Sequence, residues 1–147
     1  MATVNIYLTF EGDCMQAFEF YRSIFGGEFS YVGKFSDMPP QEGQPPLPDA
    51  MKDMIMHIGL PISTETALLG SDTGGEWAPA VTKGNNFSIS VDAESKEKAD
   101  SIFSGLSVGG TITMPLNTTF WGSYFGMLTD KFGINWMVSF AEPRADK

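Results

Sequence analysis

The chain is poor in the residues from which disulfides and metal sites are made. It has one cysteine, Cys14, and one histidine, His57. A single thiol rules out an intrachain disulfide and fits a reducing compartment, so a cytoplasmic protein is expected. A lone imidazole is not a metal site, because a first-row ion takes several nitrogen, sulfur or carboxylate donors. Cations are scarce as well. Lys and Arg total 9 against 18 Asp and Glu, giving a net charge of −9. They are scattered rather than clustered, so a phosphate backbone or an anionic bilayer would be repelled; no nucleic acid and no membrane are expected as partners. No apolar run approaches the ~18 residues of a membrane span, and the opening MATVNIYLTFEGD has no basic segment leading into an apolar one.

The composition is that of a globular domain: 147 residues, 42% hydrophobic and 18% charged. One domain over 1–147 is expected. Val4, Ile6, Leu8 and Phe10 alternate with Asn5, Tyr7 and Thr9, the period of a half-buried strand. Asp13 then offers an N-cap. Cys14, Ala17, Phe18, Tyr21, Ile24 and Phe25 fall on one helical stripe that Gly26 and Gly27 end. A strand over 28–36 follows. The segment 37–49 holds five of the nine prolines (39, 40, 45, 46 and 48) and reads as a long loop, either a lid or a decoration. Strands over 51–60 and 64–71 form a hairpin pair.

The second half repeats this order. A strand over 85–92 alternates Phe87, Ile89 and Val91 with Asn86, Ser88 and Ser90. A helix over 95–106 carries Ala99, Ile102, Phe103 and Leu106 at helical spacing. Gly109 and Gly110 end it, and strands over 111–117, 124–130 and 134–140 complete the set. Asp130-Lys131-Phe132-Gly133 is a tight turn, with Gly133 suited to a positive φ. The expected class is α+β: two βαβββ modules, about 3–72 and 84–141, joined by a linker over 73–83. Each module places its helix on one face of a curved sheet. The small polar residues Asn5, Tyr7, Thr9, Asn86, Ser88 and Ser90 are left on the opposite face, where they either line a ligand cleft or meet solvent.

Six segments carry a family resemblance: YLTFEGDCMQAFEFYRSIFGGE at 7–28, FSDMP at 35–39, MHIGL at 56–60, LLGSD at 68–72, SISVD at 88–92 and MPLNTTFWGSYFGMLTDKFGINWM at 114–137. As a set they resemble the PhnB-like branch of the vicinal oxygen chelate superfamily, the glyoxalase, bleomycin-resistance and extradiol-dioxygenase group. The resemblance implies two paired modules forming an incomplete barrel with a concave cleft and helices outside. It also implies a metal held at the first and last strands of each module, and a two-fold dimer. Those strand positions map to Asn5, Asn86, Gly70 and Met137, which supply amides and a thioether instead of imidazole or carboxylate. No metal and no other cofactor are therefore expected. Domains of this branch are sometimes labelled demethylubiquinone methyltransferases. A methyl donor with a nucleoside needs a nucleotide pocket, and neither GxGxxG nor GxxxxGK[ST] occurs.

The remaining candidates each have two interpretations. His57 lies on a strand, as a general base or ligand contact, or as a structural histidine bonded to backbone. Ser71 and Asp72 end a strand, as turn chemistry or ligand contacts. Adjacent strand residues face opposite ways, so they do not form a triad with His57. Trp121 and Tyr124 follow Phe120 at a loop edge and suit either a wall for a planar ligand or plain packing. Trp136 is assigned to the core, and Met137 to the cleft face with Asn135 and Ser139. Three functions follow: a metal-free binder of an unidentified small molecule, a glyoxalase-type lyase, isomerase or dioxygenase with non-standard ligands, and an interaction module around Phe120 and Trp121. A homodimer is expected by analogy.

Overall fold

A computed structural model of the chain describes residues 2–37, 43, 46–47, 49–73 and 80–141. The chain divides into two compact units, Met1–Thr82 and Lys83–Lys147. The first contains β1 (Ile6–Phe10), α1 (Cys14–Phe25), β2 (Tyr31–Lys34), β3 (Ile55–Pro61) and β4 (Ala67–Asp72). The second contains β5 (Ile89–Asp92), α2 (Lys96–Ser107), β6 (Thr111–Thr118), β7 (Ser123–Thr129) and β8 (Asn135–Ala141). The class is α+β, and the two units share one topology. The sheet orders are β1-β4-β3-β2 and β5-β8-β7-β6, with the first pair parallel in each and the others antiparallel. Neither sheet closes. Among the described residues, no helix is long and apolar enough to cross a membrane. Most of the proline-rich segment expected as a lid or a decoration, and most of the expected linker, lie outside the described residues.

α2 buries the stripe its spacing specifies, and α1 buries all of its stripe but Ile24 and Phe25, which are half-buried. On α1, Cys14, Ala17, Phe18 and Tyr21 are buried against β3 and β4. On α2, Ala99, Ile102, Phe103 and Leu106 are buried against β6, β7 and β8. Each large side chain taken out of water contributes roughly 1.5–3 kcal/mol. Glycines in the sheets seat two of the rings. A methyl group on Gly70 would stand 2.6 Å from the Phe18 ring, and one on Gly126 would stand 2.8 Å from the Phe103 ring.

The sheet edges depart from the sequence expectation. β1 begins at Ile6 and β5 at Ile89, so Val4 (82% exposed) and Phe87 (59% exposed) do not face a helix. Period-two alternation continued past the last ladder bonds, where no partner strand fixes the side-chain direction. β2 is likewise confined to Tyr31–Lys34 of the expected 28–36.

The two helices start differently. Ser95 caps α2, its hydroxyl accepting from the Lys98 N–H at 3.0 Å. Asp13 stands at the N-cap of α1, but its side chain makes no capping bond. The carboxylate that does this work comes from the neighbouring strand β4, whose last residue pairs with Phe10 at the end of β1. Asp72, only 4% exposed, accepts from the Gly12 and Cys14 N–H groups through Oδ1 at 2.8 and 3.0 Å, and from the Ile55 N–H through Oδ2 at 2.9 Å. Asp72 is therefore a buried tie between α1, β3 and β4, not the turn residue its Ser-Asp-Thr-Gly context suggests.

Burial, with the Asp72 and Asp13 carboxylates adding to it, pushes the Cys14 thiol pKa well above its ordinary value of 9.0. The folded thiol stays protonated while the unfolded one ionises. Its contribution to stability is thus complete below about pH 9 and declines above it, by up to about 1.4 kcal/mol per pH unit. Denaturant titrations between about pH 9 and pH 11 are expected to show a steeper loss for the parent chain than for Cys14→Ala. Equal slopes would sink that assignment.

Candidate functional site

The face of the first sheet turned away from α1 gathers three rings. Tyr7 on β1, at 50% exposure, crosses over β4 to reach His57 on β3. Tyr7 Oη and His57 Nδ1 are 3.3 Å apart, and the phenol donates when the imidazole proton sits on Nε2. Their rings stack with centroids 5.7 Å apart. Tyr31 on β2 closes the other side, its ring centroid 5.8 Å from His57. Gly33 leaves room for the Tyr31 ring, and Gly59 leaves room for the Ser30 and Leu69 side chains beside the cluster. Gly33 pairs with His57 across the β2–β3 ladder, and a methyl group there would stand 2.7 Å from the Tyr31 ring. Gly59 would meet Ser30 Oγ at 2.8 Å. The result is an imidazole stacked on Tyr7 and tilted against Tyr31, with Thr9 and Ser71 register partners on the same face.

Among the described residues, the His57 ring is thus bonded to a side chain and not to backbone. Tyr7 and His57, both sequence candidates, are brought together; Tyr31 was not anticipated. Its signal was weak, because only the pairing Tyr31–Gly59 brings it opposite β3. Asn5 has a structural task instead: its Oδ1 accepts from the Ala67 N–H at 2.9 Å and extends the β1–β4 ladder. Glu11 is similarly engaged with the Val81 N–H at 2.6 Å.

The second sheet presents a different face away from α2. Trp136 and Val138 are buried on the helix side, so Asn135, Met137 and Ser139 occupy the other. Register places Met114 opposite Met127, Met127 opposite Met137, and Met137 opposite Ser90. Ser139 donates to Asp92 Oδ1 at 2.7 Å, and Trp121 lies against Phe125 with centroids 6.4 Å apart. Asn86 and Ser88 precede β5 and are not on its ladder. Tyr124 is on the helix side: its hydroxyl donates to Asp100 Oδ1 at 2.5 Å, and Lys96 Nζ stands 4.8 Å over its ring. That hydrogen bond, then burial and the Asp100 charge, push the Tyr124 phenol pKa up. Tyr124 is a clamp between β7 and α2 and not a wall beside Trp121.

The metal positions implied by the superfamily do not fit a metal. Gly70 points at Phe18 and not at the open face, and its open-face neighbours are Leu69 and Ser71. Asn5 is committed to backbone, and Met137 stands in a row of thioethers. Among the described residues, no three His, Cys, Asp or Glu side chains group as a ligand set.

The family described as 3-demethylubiquinone-9 3-methyltransferase matches residues 2–139. Protein YjdN of Escherichia coli strain K12 is 31% identical over 140 residues, covering 90% of this chain and 91% of that one. Among solved structures, protein PA1353 from Pseudomonas aeruginosa shares 34% identity at a TM-score of 0.81, covering 97% and 100% of the two chains. A PhnB protein from Bacillus cereus, named as a putative 3-demethylubiquinone-9 3-methyltransferase, shares 24% at 0.71, covering 95% and 100%. The shared topology of the two units, with the matches at this coverage, places the chain in the PhnB-like 3-demethylubiquinone-9 3-methyltransferase family, on the glyoxalase and bleomycin-resistance fold.

Proposed function

We propose that this protein binds a small organic molecule on the open faces of its sheets, without a metal. The observation that carries this proposal is the Tyr7–His57–Tyr31 cluster. It offers two flat apolar surfaces, two phenolic hydroxyls and one imidazole on an open sheet face, which suits a partly aromatic ligand with one or two hydrogen-bonding groups. Nothing in the cluster supplies a carboxylate to orient His57, as a hydrolytic triad would need. The donor set at the superfamily's metal positions is unsuited to a first-row ion, and the sequence carries no GxGxxG signature of a nucleotide pocket.

One experiment separates this from the metalloenzyme alternative. His57 is the only histidine, so its Hε1 proton gives a single assignable NMR signal. Thermal-shift titrations with Zn²⁺, Ni²⁺, Mn²⁺ and Fe²⁺ are expected to leave the melting temperature unchanged. Members of a neutral small-molecule panel that raise it are expected to move the His57 signal. Tyr7→Phe and Tyr31→Ala are expected to weaken such a hit about tenfold, the equivalent of one hydrogen bond or one stacking surface. A stoichiometric ion that both stabilises the fold and shifts His57 would replace this proposal with a metal-dependent lyase or dioxygenase.

A further inference from the structure

The open face of the second sheet carries chemistry the first does not. Met114, Met127 and Met137 stand on three adjacent strands in direct register. This alignment is built, because β6 shifts register on both sides of Met114, between Ile112 and Met114 and again between Met114 and Asn117. Such bulges re-aim a side chain at the cost of ladder bonds. The row is not interior packing: Met114 is 45% exposed, and Met127 and Met137 are only partly buried. Thioethers are unbranched, polarisable and adaptable, and they favour contact with aromatic rings.

The next row across the same face runs Asn117, Phe125, Ser139, Asp92. Phe125 holds Trp121, which is 59% exposed, and Phe120 stands T-shaped against Trp121 at 4.9 Å. The turn bearing them is fixed: Thr119 Oγ1 donates to the Ser123 carbonyl at 2.8 Å and accepts from the Ser123 N–H at 3.1 Å. At the other end of this row, among the described residues, exposed Asp92 accepts the Ser139 hydroxyl and no other donor. Among the described residues no lysine or arginine pairs with it. A soft apolar floor, an aromatic edge and an exposed carboxylate lie on one face of a chain with net charge −9.

We infer that this face takes a flat aromatic cation, its rings on the methionine row against Trp121 and Phe125 and its amine or iminium on Asp92. The inference rests on the small-molecule binding proposed above and names a ligand class for it. The negative charge of the chain raises the local concentration of such a ligand, and Asp92 supplies the directional contact.

The test uses two three-ring probes of opposite charge, proflavine and 9-anthracenecarboxylate, with the full chain. Tryptophan quenching and probe fluorescence are read together. Proflavine is expected to bind at least tenfold more tightly than the carboxylate. Asp92→Asn, an isosteric change at an exposed position, is expected to remove most of that preference. In a Trp77→Phe background, which leaves Trp121 and Trp136 as the two tryptophans, Trp121→Phe is expected to abolish most of the quenching, since Trp136 is buried on the helix side. Met127→Lys is expected to weaken proflavine more than tenfold, with the melting temperature of the unliganded variant reporting that it folds. Equal affinity for the two probes, or a preference that survives Asp92→Asn, overturns the inference and leaves the proposed function standing. Failure of both probes, together with failure of the neutral panel, overturns both.

Discussion

Replacing Asp72 with alanine is expected to lower the melting temperature by roughly 10 °C or more, through a loss of about 3 kcal/mol or more. Its carboxylate is the acceptor for three backbone N–H groups that belong to separate parts of the first unit. Two of them, on Gly12 and Cys14, are at the entry of α1, where the first turn has no partners of its own. The third, on Ile55, starts β3. Ile55 is 1% exposed and Cys14 is wholly buried, so water is poorly placed to replace the lost oxygen atoms. A buried donor without an acceptor costs its desolvation, about 1–3 kcal/mol for each group. Asp72→Asn keeps one carbonyl oxygen but turns an NH₂ toward amides that also donate, so it is expected to recover less than half of the loss. Asp13→Ala is the matched control. It removes a residue at the formal N-cap that makes no capping bond, and it is expected to change the melting temperature by no more than about 2 °C. Thermal or urea unfolding of the three variants decides the matter. The account fails if Asp13→Ala is the more damaging substitution.

That inversion marks where the sequence is informative and where it is not. Helix stripes are local, so spacing alone picks out Ala99, Ile102, Phe103 and Leu106, and all four are buried. The face assignment of Trp136 against Met137 is equally local, since it needs only alternation, and Trp136 is 1% exposed. What spacing does not carry is pairing across long sequence separations. Asp72 meets Gly12 across 60 positions and Tyr7 meets His57 across 50. No turn grammar near Ser71-Asp72 distinguishes a solvent-facing turn carboxylate from a buried tie. Register shifts hide further information. The methionines are dispersed in sequence, and only two irregularities in β6 bring Met114 into line with Met127 and Met137. The candidate site was therefore legible as a face and as single residues such as Tyr7 and His57. Its partners Tyr31, Asp92 and Met114 become visible only through the ladders.

The second unit has its own buried carboxylate, and its removal is the other large effect expected. Asp130 is 3% exposed at the turn between β7 and β8. Its Oδ1 accepts from the Phe132 and Ile134 N–H groups at 2.8 and 3.1 Å, and its Oδ2 accepts from Trp136 Nε1 at 2.9 Å. The backbone supports the same turn: the Gly133 N–H donates to the Asp130 carbonyl at 2.9 Å, and Gly133 takes the positive φ of 87°. One side chain thus holds the turn and orients the largest buried ring of the unit. Asp130→Ala is expected to cost about 3 kcal/mol or more, as at Asp72. Trp136→Phe isolates the third bond. It removes the indole N–H and some ring volume and leaves one carboxylate oxygen short of that donor, and it is expected to cost about 2–3 kcal/mol. The two changes should not add: once Asp130 is alanine, the Trp136 N–H is already unsatisfied, and the double variant should fall short of the sum by about 1 kcal/mol or more. The consequence reaches the methionine face, because Trp136 and Met137 are neighbours on β8 and the turn sets the pairing of Met137 with Met127. A hairpin that slips by one residue would exchange the buried and open faces along that strand. Hydrogen exchange at the Met127 and Met137 amides is expected to quicken in Asp130→Ala under conditions where the α1 amides of the first unit remain protected. Uniform loss of protection in both units would mean that the chain unfolds as a whole and that Asp130 does not hold this hairpin locally.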